Sequence, residues 1–251
     1  MLLIFLRESY YLLSMKLSIS SEFRKVALLN LVVTSEVIKK YLPAHTKPDF
    51  YNGECLISLI GFQVQKLKVA GIKLPLLKDF DEIDLQIYVK RFDGARWRKG
   101  VVVLNRIFDQ PGATSLTNTI FKTNYISLPA TGTVQETEEF VKVKYSWQFR
   151  ELEQNFWVKS NRLAAPYEKD SVAAFVLDRS YGYVKDEENT YEYAIEHVDW
   201  HLYTPEEYKV DIDFSTQFDP AFNILNGQAP HSVILTEGSA VEIGENQLIQ
   251  S

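Results

Sequence analysis

The chain has 251 residues, 46% of them hydrophobic, and carries a net charge of −6 from 27 basic and 33 acidic side chains. That is enough apolar material for one sizeable core, and the acidic balance without a concentrated basic stripe argues against a phosphate-backbone binder, so no nucleic-acid partner is expected. The single cysteine, Cys55, excludes an internal disulfide and points to a reducing, cytoplasmic setting.

The opening stretch MLLIFLRESYYLLS is apolar but interrupted by Arg7 and Glu8. It is too short to cross a bilayer and lacks the flanks of a secretory signal, so stable membrane insertion is not expected. Two readings stay open: a tail outside the fold, with Met15 as a second start, or a membrane-surface anchor. Residues 1–22 are therefore read as a tail and 23–245 as one domain.

From Arg24 the run KVALLNLVV reads as a strand, and Thr34-Ser35-Glu36 offers a hydroxyl cap for a short helix that Pro43 ends. Asn52-Gly53 predicts a turn before the apolar strand Glu54 to Phe62, which continues extended to Val69. Cys55 lies in that run and reads as an inert buried thiol. Phe80 to Phe108 reads as a hairpin turning at Phe92-Asp93-Gly94-Ala95. In its first arm Ile83, Leu85, Ile87 and Val89 alternate with Glu82, Asp84, Gln86 and Tyr88, the period-2 pattern of a strand with unlike faces. In the return arm strict alternation puts Val101, Val103 and Asn105 on one side and Val102, Leu104 and Arg106 on the other.

A short helix is expected over 113–121, then Tyr125 to Pro129, then a second hairpin from about Thr131-Gly132. Its arm Phe140 to Phe149 sets Val141, Val143, Tyr145 and Trp147 against Lys142, Lys144, Ser146 and Gln148, a half-exposed strand. Ser171 to Leu177 reads as a helical turn, and 191–203, 208–218 and 231–236 as strands. Strands at short spacing with brief helices give the fold class: mainly β, a single-domain barrel or sandwich.

The segments from Leu42-Pro43-Ala44-His45-Thr46 to Gly61-Phe62, the strand Phe80 to Val89, Trp97-Arg98-Lys99-Gly100-Val101, Asn124-Tyr125 with Leu128-Pro129, Tyr181-Gly182-Tyr183, Glu196-His197, Trp200 and Pro230-His231-Ser232 occur in an order that resembles the YqjF-like family of uncharacterised bacterial proteins. The resemblance runs from about Phe23 to Ile243 and implies a β-barrel with the acetoacetate decarboxylase-like fold. It departs at polar positions: Asp84 and Gln86 stand where the family usually has Asn and Arg, Asp178-Arg179 where it has Glu-His, and Tyr181 where it has Trp. The fold's decarboxylases use a Schiff-base lysine after a Phe-Pro step, whereas Leu128-Pro129 is followed here by Ala130 and Thr131. Imine chemistry is therefore not expected, and Lys122 is not promoted in its place.

Three constellations merit weighing. Glu82, Asp84 and Gln86 form either a solvent-facing polar row or an inward row lining a pocket. If inward, two carboxylates out of water would have at least one pKa raised, with Arg106 as the offsetting cation, a set suited to acid/base work or ligand clamping. His197, Asp199 and His201 share one strand face but spread over about 13 Å, too far to converge on a metal, so no metal or other cofactor is expected. His197 and His231 lie in family motifs and read either as structural hydrogen-bonders or as ligand contacts. Tyr88, Tyr125, Tyr181 and Tyr183 offer apolar walls with hydroxyl handles.

The expectation is a barrel that binds a small carbonyl- or carboxylate-bearing molecule. Glu82 and Arg106 would be its acid/base pair if it is an enzyme, with Asp84, Gln86, Tyr88, Tyr125, Tyr181, His197 and His231 as ligand contacts. The alternatives are an acid/base enzyme on that scaffold and a structural or partner-binding protein with a filled barrel. A homo-oligomer is compatible with each.

Overall fold

The computed structural model describes residues 18–73, 78–110, 114, 118, 122 and 125–250. The stretch MLLIFLRESYYLLS and most of the helix expected over 113–121 lie outside the described residues. The strands are β1 (Ile19–Val33), β2 (Lys47–Pro48), β3 (Cys55–Val69), β4 (Ile72–Lys73), β5 (Phe80–Phe92), β6 (Trp97–Phe108), β7 (Tyr125–Ser127), β8 (Ala130–Glu136) and β9 (Phe140–Phe149). They continue with β10 (Leu152–Asn161), β11 (Tyr181–Asp186), β12 (Asn189–His197), β13 (Leu202–Tyr203), β14 (Pro205–Asp211), β15 (Ser232–Thr236), β16 (Ala240–Ile243) and β17 (Gln247–Leu248). The short α-helices between them include α1 (Ser35–Ile38), α2 (Val172–Leu177) and α3 (Phe214–Gln217). Among the described residues no helix is long and apolar enough to cross a membrane.

The larger sheet closes on itself. β1 pairs with β3, β3 with β5, β5 with β6, β6 with β11, β11 with β12, β12 with β16, and β16 again with β1. The long strands bend to achieve this. The β1–β3 register shifts between Ser20 and Glu22 and between Arg24 and Ala27, and Lys25 there adopts φ 54°. Such bulges add local twist and turn a sheet corner.

A second sheet, in the order β14–β10–β9–β8, covers the ring from outside. Alternation along β9 and β10 turns Val141, Val143, Tyr145, Trp147, Phe156 and Val158 onto Leu29, Leu31, Ile57, Leu59, Ile83, Leu85 and Ile87 of β1, β3 and β5. Each such aliphatic side chain, fully buried, contributes on the order of 1.5–3 kcal/mol. The sheets approach closely at Gly61, where any Cβ would fall within the Tyr145 ring. The opposite faces of the same strands point into the ring, where Leu28, Ile60, Phe62 and Val101 meet Ala173, Val176 and Leu177 of α2. Ser171 begins that helix by accepting a hydrogen bond from the Ala174 amide at 3.2 Å.

The turns fall where expected. Tyr51 and Glu54 exchange two backbone bonds around Asn52 (φ 49°) and Gly53 (φ 88°). Asp93 Oδ1 accepts from the amides of Ala95 and Arg96 beside Gly94. Four local expectations need correction. The strand expected over 191–203 ends at His197 and resumes only at Leu202, so His197, Asp199 and His201 do not share one strand face. Thr34 occupies the N-cap position of α1, but its hydroxyl makes no capping bond. The strand expected over 208–218 ends at Asp211, because Asp213 accepts from the amides of Ser215 and Thr216 and starts α3. β10 was not anticipated. Its inward set includes polar Gln154 and Ser160 beside Phe156 and Val158, which blurs the apolar alternation.

Candidate functional site

The polar row of β5 faces inward. Glu82, Asp84 and Gln86 are 2%, 4% and 8% exposed, so the solvent-facing reading of this row does not hold. Strict alternation along β6 would send Arg106 to the outer face. A bulge prevents this: Leu85 pairs with Asn105 while Gln86 pairs with Val103, leaving Leu104 as an extra residue. The parity of β6 reverses there, and Arg106 comes to lie directly across from Asp84 on the inner face. Its Nη1 donates to Glu82 Oε1 at 3.4 Å and to the Tyr125 hydroxyl at 3.3 Å, and its Nε lies 3.8 Å from Asp84 Oδ2. Tyr125 in turn donates to Glu82 Oε2 at 3.2 Å. Asp84 Oδ1 is buried and has no hydrogen-bond partner among the described residues.

Burial, reinforced by the like charge of Asp84, pushes the Glu82 carboxyl well above its ordinary value of 4.5. Burial also raises Asp84, with Arg106 working against it. For Arg106 itself burial opposes the charge, but Asp84 and Tyr125 outweigh it and hold the guanidinium positive. Two buried carboxyls with raised pKa values, Glu82 the more strongly raised, therefore stand beside a fixed cation. Paired carboxyls pushed apart in pKa are the make-up of an acid/base site or of a clamp for a polar group.

Further along the same face a second network begins. Gln86 Nε2 donates to the Tyr88 hydroxyl at 3.3 Å, Tyr88 and Ser58 share a 2.5 Å bond, and Ser58 donates to Asn30 Oδ1 at 2.5 Å. Over the Tyr88 ring, 5.0 Å away, lies the guanidinium of Arg179, the second residue after α2. Arg179 is 4% exposed. Its Nη1 donates to Asp49 Oδ2 at 2.7 Å, while Lys90 takes Asp49 Oδ1 at 2.9 Å. Its Nη2 is buried without a partner among the described residues.

Between the two networks lies a cavity of about 110 Å³. Asp84, Gln86, Arg106, Arg179 and Tyr193 supply its polar wall, and Leu28, Ile60, Phe62, Val101, Val176 and Trp200 much of its apolar wall. A 150 Å³ apolar cavity admits benzene, so this one suits a molecule of about half a dozen heavy atoms.

The candidate residues divide in their placement. Asp84, Gln86, Arg106 and His197 line the cavity. Glu82, Tyr125 and Tyr88 stand behind that wall, bonded to residues in or near it. Tyr181 and Tyr183 are not in the wall. Alternation turns Gly182 inward, where the Tyr193 ring fills the space a side chain would need, and sends both tyrosines to the outer cluster. Tyr181 there underlies the Arg98 guanidinium at 5.0 Å. His197 Nδ1 lies 2.8 Å from the Val198 carbonyl and Nε2 3.2 Å from that of Leu177, so the ring ties β12 to α2. His231 lies apart from the cavity, edge-on to Tyr51 and 3.6 Å from Glu54.

No lysine lines the cavity among the described residues. Ala130 pairs with Trp147 in the outer sheet, and Lys122 is held by Asp186 at 2.5 Å. Nor is any group of three or more His, Cys, Asp and Glu among the described residues placed to hold a metal ion. Cys55 is buried, and burial raises its thiol pKa.

Sequence reasoning had not singled out Asn30, Ser58, Arg179, Tyr193 and Trp200 for the site. Asn30 and Ser58 were detectable as lone polar residues in apolar runs, and Arg179 as a departure from the family's usual pair. Tyr193 gave no signal of its own.

This architecture is that of the acetoacetate decarboxylase-like proteins. An acetoacetate decarboxylase-like enzyme from Sphingomonas wittichii RW1 matches with a TM-score of 0.65 at 12% identity, over 95% of this chain and 94% of that one. Acetoacetate decarboxylase from Legionella pneumophila matches at 0.62 and 8% identity, over 92% and 87%. The enduracididine biosynthesis enzyme MppR complexed with pyruvate matches at 0.60 and 13% identity, over 94% and 90%. At such identities the likeness establishes the fold alone. No curated protein sequence matches the chain. Residues 20–240 match the family model DUF2071, uncharacterized conserved protein, and the chain belongs to that family.

Proposed function

We propose that this protein binds a small organic molecule bearing a carbonyl or carboxylate group inside the closed ring, without forming an imine with a lysine. The observation that carries this is a cavity of about 110 Å³ whose mostly apolar wall includes the charged side chains of Asp84, Arg106 and Arg179. A similar fold holds pyruvate in MppR, which supports the ligand class by analogy. A second reading has its own support: the Glu82 carboxyl, its pKa pushed up by burial and by Asp84, is suited beside Arg106 to enolisation or hydration as a general acid. The compartment we infer is the cytoplasm, on the strength of one buried, unpaired cysteine.

A thermal-shift screen of small carbonyl and carboxylate compounds tests binding. A ligand at about 100 times its dissociation constant adds roughly 2.7 kcal/mol of stability. Glu82→Gln should alter the response to the hits while the folded protein persists. A variant that loses stability broadly and leaves the ligand response unchanged would assign Glu82 a structural role. Turnover of a hit that disappears in Glu82→Gln would establish the second reading.

A further inference from the structure

The β5–β6 hairpin outruns its neighbours at one end of the ring. β3 pairs with β5 only as far as Ile87, and β11 meets β6 only from Gly100, so the tip from Phe92 to Trp97 projects beyond both. A Cβ built at Gly94 meets nothing within 4 Å, nor does one at Gly53 in the turn beside it. The alternation that turns Tyr88 and Val101 inward continues past the ring as Lys90 and Phe92 on β5 and Trp97 and Lys99 on β6. There the side chains have no core to cover. Phe92 and Trp97 are paired, their rings 5.3 Å apart, yet they stay 51% and 45% exposed. Phe50, 45% exposed on the neighbouring loop, shares a groove with Lys99. Single exposed apolar residues are ordinary, but three aromatics from three segments at one end form a patch.

The charges around this patch are of one sign. Arg91 and Arg98 are held by Glu192, and Lys90 by Asp49. Asp93, the one acid in the hairpin tip, is taken by Arg98 at 2.7 Å. Three exposed cations are left over. Lys47 lies 4.2 Å above the Trp97 ring and Lys99 follows Trp97 on the same face, both without a carboxylate partner among the described residues. Arg96 is 73% exposed and reaches Asp93 only at 4.0 Å. In the adjoining groove Lys169 stands with Asp170 and Arg179 with Asp178, so acids there do not offset the tip. Aromatic rings flanked by lysine and arginine are the side chains favoured at a lipid–water interface. Phe92 and Trp97 cap a projecting turn and do not line a cleft, a shape that fits a plane better than a peptide.

We propose that this end of the ring docks on an anionic phospholipid surface. Phe50, Phe92 and Trp97 enter the headgroup layer, while Lys47, Arg96 and Lys99 face the lipid phosphates and carboxylates. The contact is peripheral and reversible, since a few rings and cations supply it and no element crosses the bilayer. It stands independently of the interior cavity, which faces the other way along the same strands.

The test is flotation of the full chain with vesicles of phosphatidylcholine, alone or mixed with phosphatidylserine, read beside quenching of tryptophan fluorescence by brominated acyl chains. Trp97 is exposed, whereas Trp147 and Trp200 are buried and Trp157 is half-buried beneath Lys142, so quenching that vanishes in Trp97→Phe reports the tip. The wild type should float with the serine-lipid vesicles only, release as salt rises, and show that quenching. Lys47→Ala and Lys99→Ala should each weaken binding about fivefold, and Phe92→Ser with Trp97→Ser about tenfold or more. Should the double variant fail to fold, the lysine variants and the Trp97→Phe comparison decide. The proposal is overturned if the wild type floats with neither vesicle. It is equally overturned if flotation is unchanged by these substitutions and Trp97 is not quenched, which would place the lipid contact elsewhere on the chain. Binding of oligothymidylate or polyglutamate through the same residues, with vesicles ignored, would give the surface to a nucleic acid or an acidic protein instead.

Discussion

Glu82 links the geometry of the site to a measurable property of the whole protein. Its folded pKa lies above the ordinary 4.5, so the folded chain holds a proton that the unfolded chain releases. The resulting stabilisation is fully present below pH 4.5 and is lost as pH rises through the folded value, at up to about 1.4 kcal/mol per pH unit for one proton. Asp93 and Asp213, whose pKa values are lowered, act below pH 4, while Asp84, raised by the same burial, adds to the decline in that window. Urea unfolding across pH 4.5 to 8 should therefore show stability declining with pH in the wild type and a flatter profile in Glu82→Gln; equal slopes would refute the assignment. Asp49 gives a second residue-scale prediction. Replacing it with Asn leaves Arg179 and Lys90 without their shared anion, and breaking a buried pair in this way costs about 3–5 kcal/mol. A loss below about 1 kcal/mol in denaturant unfolding would show that water already reaches these cations.

Among the elements, the β5–β6 hairpin decides the site, and its bulge decides the hairpin. The turn at Asp93-Gly94 and the alternation of β5 were legible because φ preference and the period-2 exchange of polar and apolar side chains leave direct marks in sequence. The extra residue at Leu104 leaves none: the run Val101-Val102-Val103-Leu104 is apolar on both faces, so nothing in it records where parity reverses. For that reason Arg106 could be named as a candidate while its face was misassigned, and Tyr193, placed by the ring's closure, could not be named at all. The seam between the two sheets is equally specific. Gly61→Ala places a methyl inside the Tyr145 ring and against Phe156, so the sheets must separate or the rings move. Overpacking of this kind costs about 1–3 kcal/mol. Calorimetric melting should show the loss, and a variant melting with the wild type would mean that the outer sheet tolerates displacement.

At the scale of the molecule, one set of strands serves two purposes. The outer faces of β1, β3 and β5 build the core against the second sheet, and the inner faces of the same strands build the cavity. Stability and binding are thus separable by face. Val241→Phe should fill inner space and abolish binding while leaving the melting temperature within a few degrees of wild type, since cavity filling is often neutral or stabilising. The general plan was legible from length, strand spacing and family resemblance, because these depend on patterns repeated many times along the chain. The interior was only partly legible, since it depends on which faces long-range pairing turns inward. The most direct measurement is native mass spectrometry of freshly purified wild type beside Val241→Phe. A discrete small mass on the wild type, released on denaturation and missing from the variant, is the predicted result. The same mass on both proteins would place the ligand elsewhere and contradict an interior site.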